Sequence, residues 1–352
     1  MRLASAALLA LLASLGVACA PAPPVAPPRE AAAACTLRAR FYDVAQGLSV
    51  LVDLPDGRHV LVDTGDPPLR SGCGQTCVTG HAHLLESLRR DLAGAPLDLV
   101  WATHQHLDHI GGAPAVLEAF QVLAYADNGL DPERPEVALI HRTAEARGTR
   151  LVVEDPAHRD SPLPPSPLAV VTPIIPAAWP EACPADKNQC SIGLRVDACG
   201  TSILFTGDAG VEEEQLLDTR GPAAVLQVGH HGSETSSSEP FLARVAPRYA
   251  VISAGHPGEG TNLAYCHPRA RVLDRLNRAL GGPTPGWLLA FDGLARCKTA
   301  GPEHWSPHPV SDRLWSTSRD GDVVLESHGD GLWQRLVGPG GLGDAYRVPH
   351  RD

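Results

Sequence analysis

The sequence predicts an α/β protein, an αββα sandwich in which two mixed sheets are flanked by helices. The first half of the chain alternates short strand-like segments with helix-like segments, and the second half repeats that alternation. Clusters of His and Asp follow several of the predicted strands. Two half-sheets with outer helices would bring those clusters to loops along one edge of the sandwich.

The first half opens with strands that turn signals connect directly. Gln46-Gly47 and Pro55-Asp56-Gly57 break the apolar pattern, so the opening strands are expected to form an antiparallel meander. Leucines at helical spacing predict a helix over 83–92, and Pro114 in a first turn predicts another over 114–120. The predicted strands of this half cover 37–44, 48–54, 59–63 and the apolar run that ends at Thr103.

The second half continues the same style. Helices are predicted over 211–217, 240–245 and 269–280. Pro, His and charged residues without periodicity predict long loops over 129–165 and 297–311. The predicted strands cover 168–172, 192–196, 201–206, 224–229, 249–253, 287–291, 313–317 and 322–326.

The amino-terminal residues predict export. Arg2 precedes an apolar run over 3–15 that is too short for a membrane span, so residues 1–19 are expected to be a signal peptide. Residues 16–19 resemble a lipoprotein cleavage box that would place a lipid anchor on Cys19, although Gly16 stands where Leu is usual. Ordinary cleavage, giving a secreted protein, is the alternative. The predicted order is signal peptide 1–19, Pro/Ala-rich tether 20–34, a folded domain over 35–340 and tail 341–352.

The remaining eight cysteines predict disulfides, because their number is even and the chain is expected to be exported. Eight cysteines allow 105 pairings, so the sequence leaves the connectivity open. Local pairs such as Cys73 with Cys77 and Cys183 with Cys190 are among the expected possibilities. A Cys-rich metal site is the alternative, but the Cys73-x-x-x-Cys77 spacing has no matching second pair nearby.

Composition restricts the function. The net charge of −11 weighs against a groove that holds a nucleic-acid backbone through Lys and Arg. It does not exclude a metal-centred phosphodiesterase, because bound cations supply their own positive charge. The 352 residues are 43% hydrophobic, which is enough for a sizeable core.

The most informative motif is His-x-His-x-Asp-His, directly after the apolar run 97–102. Neutral imidazole and carboxylate are the ligands of zinc at hydrolytic centres, so this turn holds most of a two-metal site. A polar surface loop with three histidines is the alternative. Further clusters end other predicted strands or open a helix, and together they strengthen the metal interpretation: Asp63 to Asp66, Thr206-Gly207-Asp208, His230-His231 and His267.

These motifs resemble the metallo-β-lactamase superfamily, and within it the soluble hydrolase domain of ComEC-type competence proteins. The sequence departs from that domain at His106, where Asp is common, and it lacks the many membrane helices of competence proteins. The stretches that carry the resemblance are 41–47, 62–66, 104–112, Asn188 with Ser191, 205–208, 229–236 and 319–322.

The resemblance implies two bound zinc ions, with Mn²⁺ or Fe as alternatives. Asp208 would bridge the ions, and Asp63 would orient a ligand imidazole. His231 would contact the substrate or protonate the leaving group, although His231 and His230 could exchange roles. The first ion would be held by His104, His106 and His230, and the second by Asp108, His109 and His267.

Other residues receive weaker assignments. Asn188 and Ser191 are expected either to shape the substrate mouth or to satisfy loop backbone groups. Ser233 lies in a Ser/Thr-rich lead-in to a helix, where capping is a better interpretation than nucleophilic catalysis. Asp43 and Gln46 are interpreted as an ordinary turn pair, and His256 is the one histidine outside the motifs to follow.

The predicted function is an exported binuclear metal-dependent hydrolase with Asp108 and His231 as catalytic residues. Its expected substrate is a phosphodiester, small or part of a surface polymer. The alternatives are hydrolysis of a lactam, lactone or other ester, a DNA nuclease as in competence proteins, and a metal-stabilised binding protein without turnover. Membrane contact is expected only through the anchor at Cys19, on a periplasmic or cell-surface protein.

Overall fold

The computed structural model describes residues 35–336. The predicted signal peptide, the anchor at Cys19, the tether 20–34 and the tail 341–352 lie outside these residues, as does the predicted domain end at 340. No helix within 35–336 combines the length and the apolar character needed to cross a membrane.

The first sheet is mixed and has eight strands. Its antiparallel half is the expected meander, joined at the edge by strands from the end of the chain, and its other half is parallel. Between these strands lie helices α1 (Gln75–Leu92), α2 (Leu107–Ile110), α3 (Ala113–Ala119) and α4 (Pro135–Arg147). The early strands are β1 (Leu37–Phe41), β2 (Val50–Asp53), β3 (His59–Val62), β4 (Leu99–Trp101), β5 (Ala124–Asp127) and β6 (Arg150–Val153).

The second sheet is also mixed and has six strands, with an antiparallel edge and a parallel centre. Its strands are β7 (Ala169–Ile174), β8 (Gly193–Ala198), β9 (Thr201–Phe205), β10 (Val225–Gln227), β11 (Tyr249–Ile252) and β14 (Leu314–Ser316). Between β11 and β14 the chain forms a separate two-stranded hairpin of β12 (Gly286–Phe291) and β13 (Trp305–Val310). The accompanying helices are α5 (Val211–Leu216), α6 (Glu239–Val245), α7 (Asn262–Tyr265), α8 (Ala270–Ala279) and α9 (Thr317–Asp320). The chain then returns to the edge of the first sheet through β15 (Val323–Ser327) and β16 (Gln334–Leu336).

Apolar side chains divide the fold into layers. Phe41 and Trp101 of the first sheet share one buried cluster with Phe205 and Val251 of the second. A second cluster lies between the first sheet and α1, α3 and α4, and a third joins the second sheet to α6 and α8. Trp101 Nε1 also donates to the Ile192 carbonyl across the interface, at 2.8 Å. The predicted αββα sandwich is confirmed.

Three local predictions were wrong. Residues 129–165 hold α4 and β6, and 297–311 hold β13, where long loops were expected. Helix α1 begins at Gln75, eight residues before its predicted start. The reason is that prolines and scattered charges hide the elements in these segments. Helix α4, for example, buries only Val137, Ile140 and Ala144 and carries Pro135 in its first turn, where proline is tolerated.

All eight cysteines in residues 35–336 are paired. The two local disulfides expected from the sequence, Cys73–Cys77 and Cys183–Cys190, are present. Two long-range disulfides, Cys35–Cys199 and Cys266–Cys297, complete the set. A thiolate metal site is therefore wrong for these cysteines, because the sulfur atoms are bonded to one another.

Candidate metal centre

The predicted ligands lie at one edge of the sandwich because the strands that precede them are parallel. Strands β3 and β4 run in the same direction, as do β9, β10 and β11, so their carboxyl ends face the same side. Asp63 follows β3, and the sequence from Thr103 to His109 follows β4. Asp208 and the His230-His231 pair follow β9 and β10. Residues more than 100 positions apart thus meet at one place.

The carboxylate of Asp208 is the centre of the site. Its Oδ2 atom lies 3.2 Å from His109 Nε2 and 3.5 Å from His231 Nε2, and the matching distances to His230 and His104 are 3.7 and 3.9 Å. The other oxygen, Oδ1, is buried without a hydrogen-bond partner. A buried carboxylate surrounded by four imidazoles is the arrangement expected where cations belong.

Asp63 determines the orientation of His109. Its Oδ1 accepts the Thr103 backbone N–H at 2.7 Å, and its Oδ2 accepts from the Thr103 hydroxyl at 2.8 Å and from His109 Nδ1 at 2.7 Å. Both Asp63 and His109 are fully buried. Since Nδ1 of His109 donates to Asp63, Nε2 is the nitrogen that faces Asp208 and His231.

The two adjacent histidines project into the same cavity. His230 and His231 both adopt left-handed backbone conformations, with φ of 48° and 54°. His231 Nδ1 donates to the Ser253 carbonyl at 2.8 Å, which leaves its Nε2 3.2 Å from His109 Nε2 and 3.7 Å from Asp108 Oδ2. His230 Nδ1 lies 2.8 Å from the Thr235 hydroxyl. His231 therefore lies beside Asp108 and His109.

The remaining two histidines lie on the cavity wall. His106 Nδ1 is 3.0 Å from His104 Nε2, and its side chain is half-buried. The His267 ring centroid lies 5.5 Å from that of His230 and 6.2 Å from that of Tyr265. His267 Nδ1 is buried without a hydrogen-bond partner. All seven predicted ligands therefore border one cavity or its floor.

These donors fit divalent cations. Two groups have ligand atoms within 4.8 Å of one another: one is His104, His109 and Asp208, and the other is Asp108, His109 and His231. Burial holds the pKa of His104 and of His267 well below the usual value, so both imidazoles are neutral, as coordination requires. Burial opposes ionisation of Asp208, but the charges of His109, His231 and His230 hold its pKa well below the usual value.

The residues with weaker assignments, Asn188, Ser191 and Ser233, lie in different surroundings. Asn188 borders the cavity. Ser191 is buried, where its hydroxyl accepts from the Asp208 backbone N–H at 3.3 Å and donates to the Asn188 carbonyl. Ser233 contacts the Thr235 hydroxyl at 3.0 Å. The helix cap expected in this stretch is provided by Ser238, which accepts from the Phe241 N–H.

Sequence reasoning missed an arginine that holds Asp108. Arg70 forms an ion pair with Asp66, and its Nη1 lies 3.3 Å from Asp108 Oδ1. Its Nη2 donates to the Tyr265 hydroxyl at 2.7 Å. Burial and the nearby Asp108 charge raise the pKa of Asp66 to about 7. In the sequence, Arg70 is a single charge in an irregular loop, and its spacing does not relate it to the His-x-His-x-Asp-His motif.

The cavity above the donors has a volume of about 190 Å³. Its lining combines the candidate ligands with two cations and several neutral donors. Besides His106, Asp108, Asp208, His230, His231 and His267, the lining residues are Gln46, Arg70, Leu107, Arg134, Asn188 and Tyr265. Asp43 and His256 lie in a separate cavity, where they approach to 3.6 Å.

Comparison with known proteins identifies the family of the chain. The family model described as "Metallo-beta-lactamase superfamily" matches residues 42–256, more than half of the chain. Recombination protein 2 of Haemophilus influenzae is 31% identical over 67% of this chain and 26% of its own length. Competence protein ComA of Neisseria gonorrhoeae is 34% identical over 67% of this chain and 29% of its own. The chain thus spans between a quarter and a third of the length of these curated relatives.

Among solved structures, the metallo-beta-lactamase fold protein YhfI from Bacillus subtilis matches with a TM-score of 0.41 and 14% identity, covering 61% of this chain and 85% of that one. Proteins of the matched family are generally metal-dependent hydrolases. The chain belongs to the metallo-beta-lactamase superfamily, and its curated relatives include ComEC-type competence proteins.

Proposed function

We propose that the chain is a binuclear metal-dependent hydrolase that cleaves phosphodiesters. The observation that carries the proposal is the Asp208 carboxylate, which has four imidazole Nε2 atoms within 3.9 Å of Oδ2 and a buried, unpartnered Oδ1. A structural carboxylate would need its second oxygen satisfied. Zinc suits this mixture of imidazole and carboxylate, with Mn²⁺ or Fe as alternatives.

We assign His104, His106 and His230 to one ion, Asp108 and His109 to the other, and Asp208 to both. The third imidazole of the second ion is either His267, as the family resemblance implies, or His231. The 3.7 Å distance from His231 Nε2 to Asp108 Oδ2 supports His231 as this ligand. His267 would then border the substrate, and proton donation to the leaving group would pass from His231 to His267.

Two bound divalent ions would supply a water of lowered pKa and stabilise negative charge on the substrate. The chain's own residues keep the donors in place. Asp63 holds the proton on His109 Nδ1, and the Ser253 carbonyl holds the proton on His231 Nδ1. Arg70 holds Asp108 Oδ1, which leaves Oδ2 toward His231. Such supporting contacts fix the orientation of metal ligands.

The cations beside the cavity support an anionic substrate. Arg134 borders it, with Nη1 anchored on the carbonyl of Gln105, between two of the proposed ligands, at 2.7 Å. Arg70 lies on the same lining. Arg70 is paired with Asp66 and Asp108, and Arg134 with Glu136. In a chain with a net charge of −11, their position at the cavity still favours an anionic substrate, such as a phosphodiester, over a neutral lactone.

A DNA nuclease is the second candidate, and it is favoured by the relatives whose names refer to recombination and competence. The acidic charge of the chain instead favours a small or surface-polymer phosphodiester. We therefore propose that the protein binds a small or surface-polymer phosphodiester as its substrate. The remaining alternative is a metal-stabilised binding protein without turnover.

The test is a substrate panel on zinc-loaded protein: bis-p-nitrophenyl phosphate, nitrocefin, an acyl lactone and supercoiled plasmid. We expect turnover of the phosphodiester and little or none of nitrocefin and the lactone. Plasmid nicking faster than bis-p-nitrophenyl phosphate hydrolysis would replace the first candidate with the second. No turnover of any substrate by fully loaded protein would refute the proposed enzyme.

We also propose that the protein is exported, with a lipid anchor at Cys19. The four disulfides support an oxidising compartment. Fractionation of cells that produce the wild type or Cys19→Ser tests the anchor. We expect the wild type in the membrane fraction and Cys19→Ser outside it, and the same fraction for both would contradict the anchor.

A further inference from the structure

The side chain of Gln46 borders the cavity above the metal donors without any role in holding them. It lies in the turn between β1 and β2 and is 1% exposed. Arg70, Asp108 and His231 border the same cavity. The sequence pattern predicts only an ordinary turn at Gln46, and its buried position at the cavity calls for a different explanation.

The orientation of the Gln46 amide follows from one hydrogen bond. The Gly255 backbone N–H lies 3.0 Å from Oε1, and a backbone donor requires the oxygen of the amide to face it. The NH₂ group of the Gln46 amide therefore faces away from the Gly255 N–H. Nε2 is buried and has no hydrogen-bond partner. An unpaired buried donor costs about 1–3 kcal/mol, so native proteins seldom keep one without a use.

The backbone around Gln46 has little freedom to move away from Asp108. Leu48 N–H donates to the Asp108 carbonyl at 3.1 Å, and a Cβ on Gly47 would lie 2.7 Å from the same oxygen. On the other side, a Cβ on Gly255 would lie 2.9 Å from Gln46 N. These close approaches hold the turn between the Asp108 loop and the loop after β11, so the position of the Gln46 NH₂ group is fixed.

We propose that Gln46 Nε2 donates a hydrogen bond to a non-bridging oxygen of the substrate phosphoryl group and stabilises the charge that develops there. This inference rests on the proposed phosphodiesterase function. Arg70 cannot supply the same contact freely, because its guanidinium is engaged by Asp66, Asp108 and Tyr265. A neutral, preoriented donor in a buried site strengthens as charge accumulates in the transition state.

Two variants and a matched control test the proposal. Gln46→Glu keeps an acceptor for Gly255 N–H but replaces the free donor with an oxygen, and Gln46→Met removes both polar groups. Gln121→Glu adds the same charge as Gln46→Glu at an exposed position in the segment just before β5, at the end of the sheet opposite the metal donors. We expect kcat for bis-p-nitrophenyl phosphate to fall roughly 10²-fold in both Gln46 variants. KM, zinc content and thermal midpoint should stay near the wild-type values, and Gln121→Glu should match the wild type throughout.

A binding measurement gives a readout that does not depend on turnover. Titration calorimetry of inorganic phosphate with zinc-loaded protein should show affinity at least about tenfold weaker in Gln46→Met than in the wild type, as expected for a lost hydrogen bond to a charged group. Gln121→Glu should bind phosphate as the wild type does.

The outcomes separate the two proposals. A wild type that hydrolyses phosphodiesters, with Gln46 variants equal to it in kcat and phosphate affinity, would overturn the role of Gln46 alone. A wild type that binds phosphate through Gln46 but cleaves no phosphodiester would overturn the proposed function and leave the donor role intact. Loss of zinc or of folding in both Gln46 variants would overturn the donor role, because Gln46 would then be a structural residue. Absence of phosphate binding by the wild type would also overturn it, because Gln46 would then have no anion to which it donates.

Discussion

Asp63 Oδ2 lies 2.7 Å from His109 Nδ1, and this contact decides which nitrogen of the buried imidazole faces Asp208. Burial lowers the pKa of His109, but the Asp208 and Asp63 carboxylates outweigh burial and hold that pKa well above the usual value. His109 belongs to both donor groups of the candidate centre. The orientation of one ring therefore affects both proposed ions.

Asp63→Asn should weaken zinc binding roughly 10–100-fold, because the amide replaces the charged acceptor that orients His109. Competition with a chromophoric chelator measures this affinity. Asp98→Asn is the matched control, since Asp98 accepts only a backbone N–H, from His59, on the opposite end of the sheet. Equal zinc affinity in wild type and Asp63→Asn would contradict the orienting role.

Asp208→Ala and His106→Ala should both lose zinc, and Asp208→Ala should lose more because its carboxylate approaches four imidazoles. Activity should fall with metal content. Elemental analysis of purified protein gives the stoichiometry, with two ions expected in the wild type. His308→Ala, at a half-exposed ion pair with Asp274, is the control and should keep both ions. Full metal and full activity in both site variants would refute the assignment.

Removal of zinc by a chelator should lower the thermal midpoint as well as abolish activity, because a ligand that binds only the folded state stabilises it. The buried donors His104, His109 and Asp208 would lose the cation that binds them together. Calorimetry before and after re-addition of zinc measures the effect. A midpoint that does not respond to zinc would argue against a preformed site in these residues.

Arg70→Met should destabilise the fold by about 3 kcal/mol, because it leaves Asp66 and Asp108 buried without their shared cation. Urea denaturation measures the change. Arg90→Met removes a more exposed arginine, paired with Asp91, and should cost less than about 1 kcal/mol. Similar losses in the two variants would mean that Arg70 acts as an ordinary surface charge.

His83 should make stability depend on pH. Burial lowers its pKa, but the hydrogen bond and charge of Asp322, 2.8 Å away, raise it above the usual value of 6.5. The stabilisation is complete below pH 6.5 and is lost as the pH rises through the higher folded-state pKa. His83→Gln should therefore lower the thermal midpoint more at pH 6 than at pH 9. An equal decrease at both pH values would contradict this sign.

Much of the site was predictable because its ligands are clustered locally. Four of the seven candidates lie within six positions, directly after an apolar strand, and Asp208 and the His230-His231 pair follow strands in the same way. Helix α4 and strands β6 and β13 were missed, since their stability comes from packing on neighbours and not from their own periodicity.

By itself, the sequence determined that His104, Asp108, His109 and Asp208 would gather at strand ends, because short spacing and parallel strands leave them few other places. Only the tertiary structure decided that His231 approaches Asp108 and His109, since that depends on left-handed backbone at His230 and His231 and on the distant Ser253 carbonyl. It also brought Arg70 and Gln46 to the cavity. Contacts between residues far apart in the chain carry no periodic signal, and they form only when the two halves of the sandwich pack together.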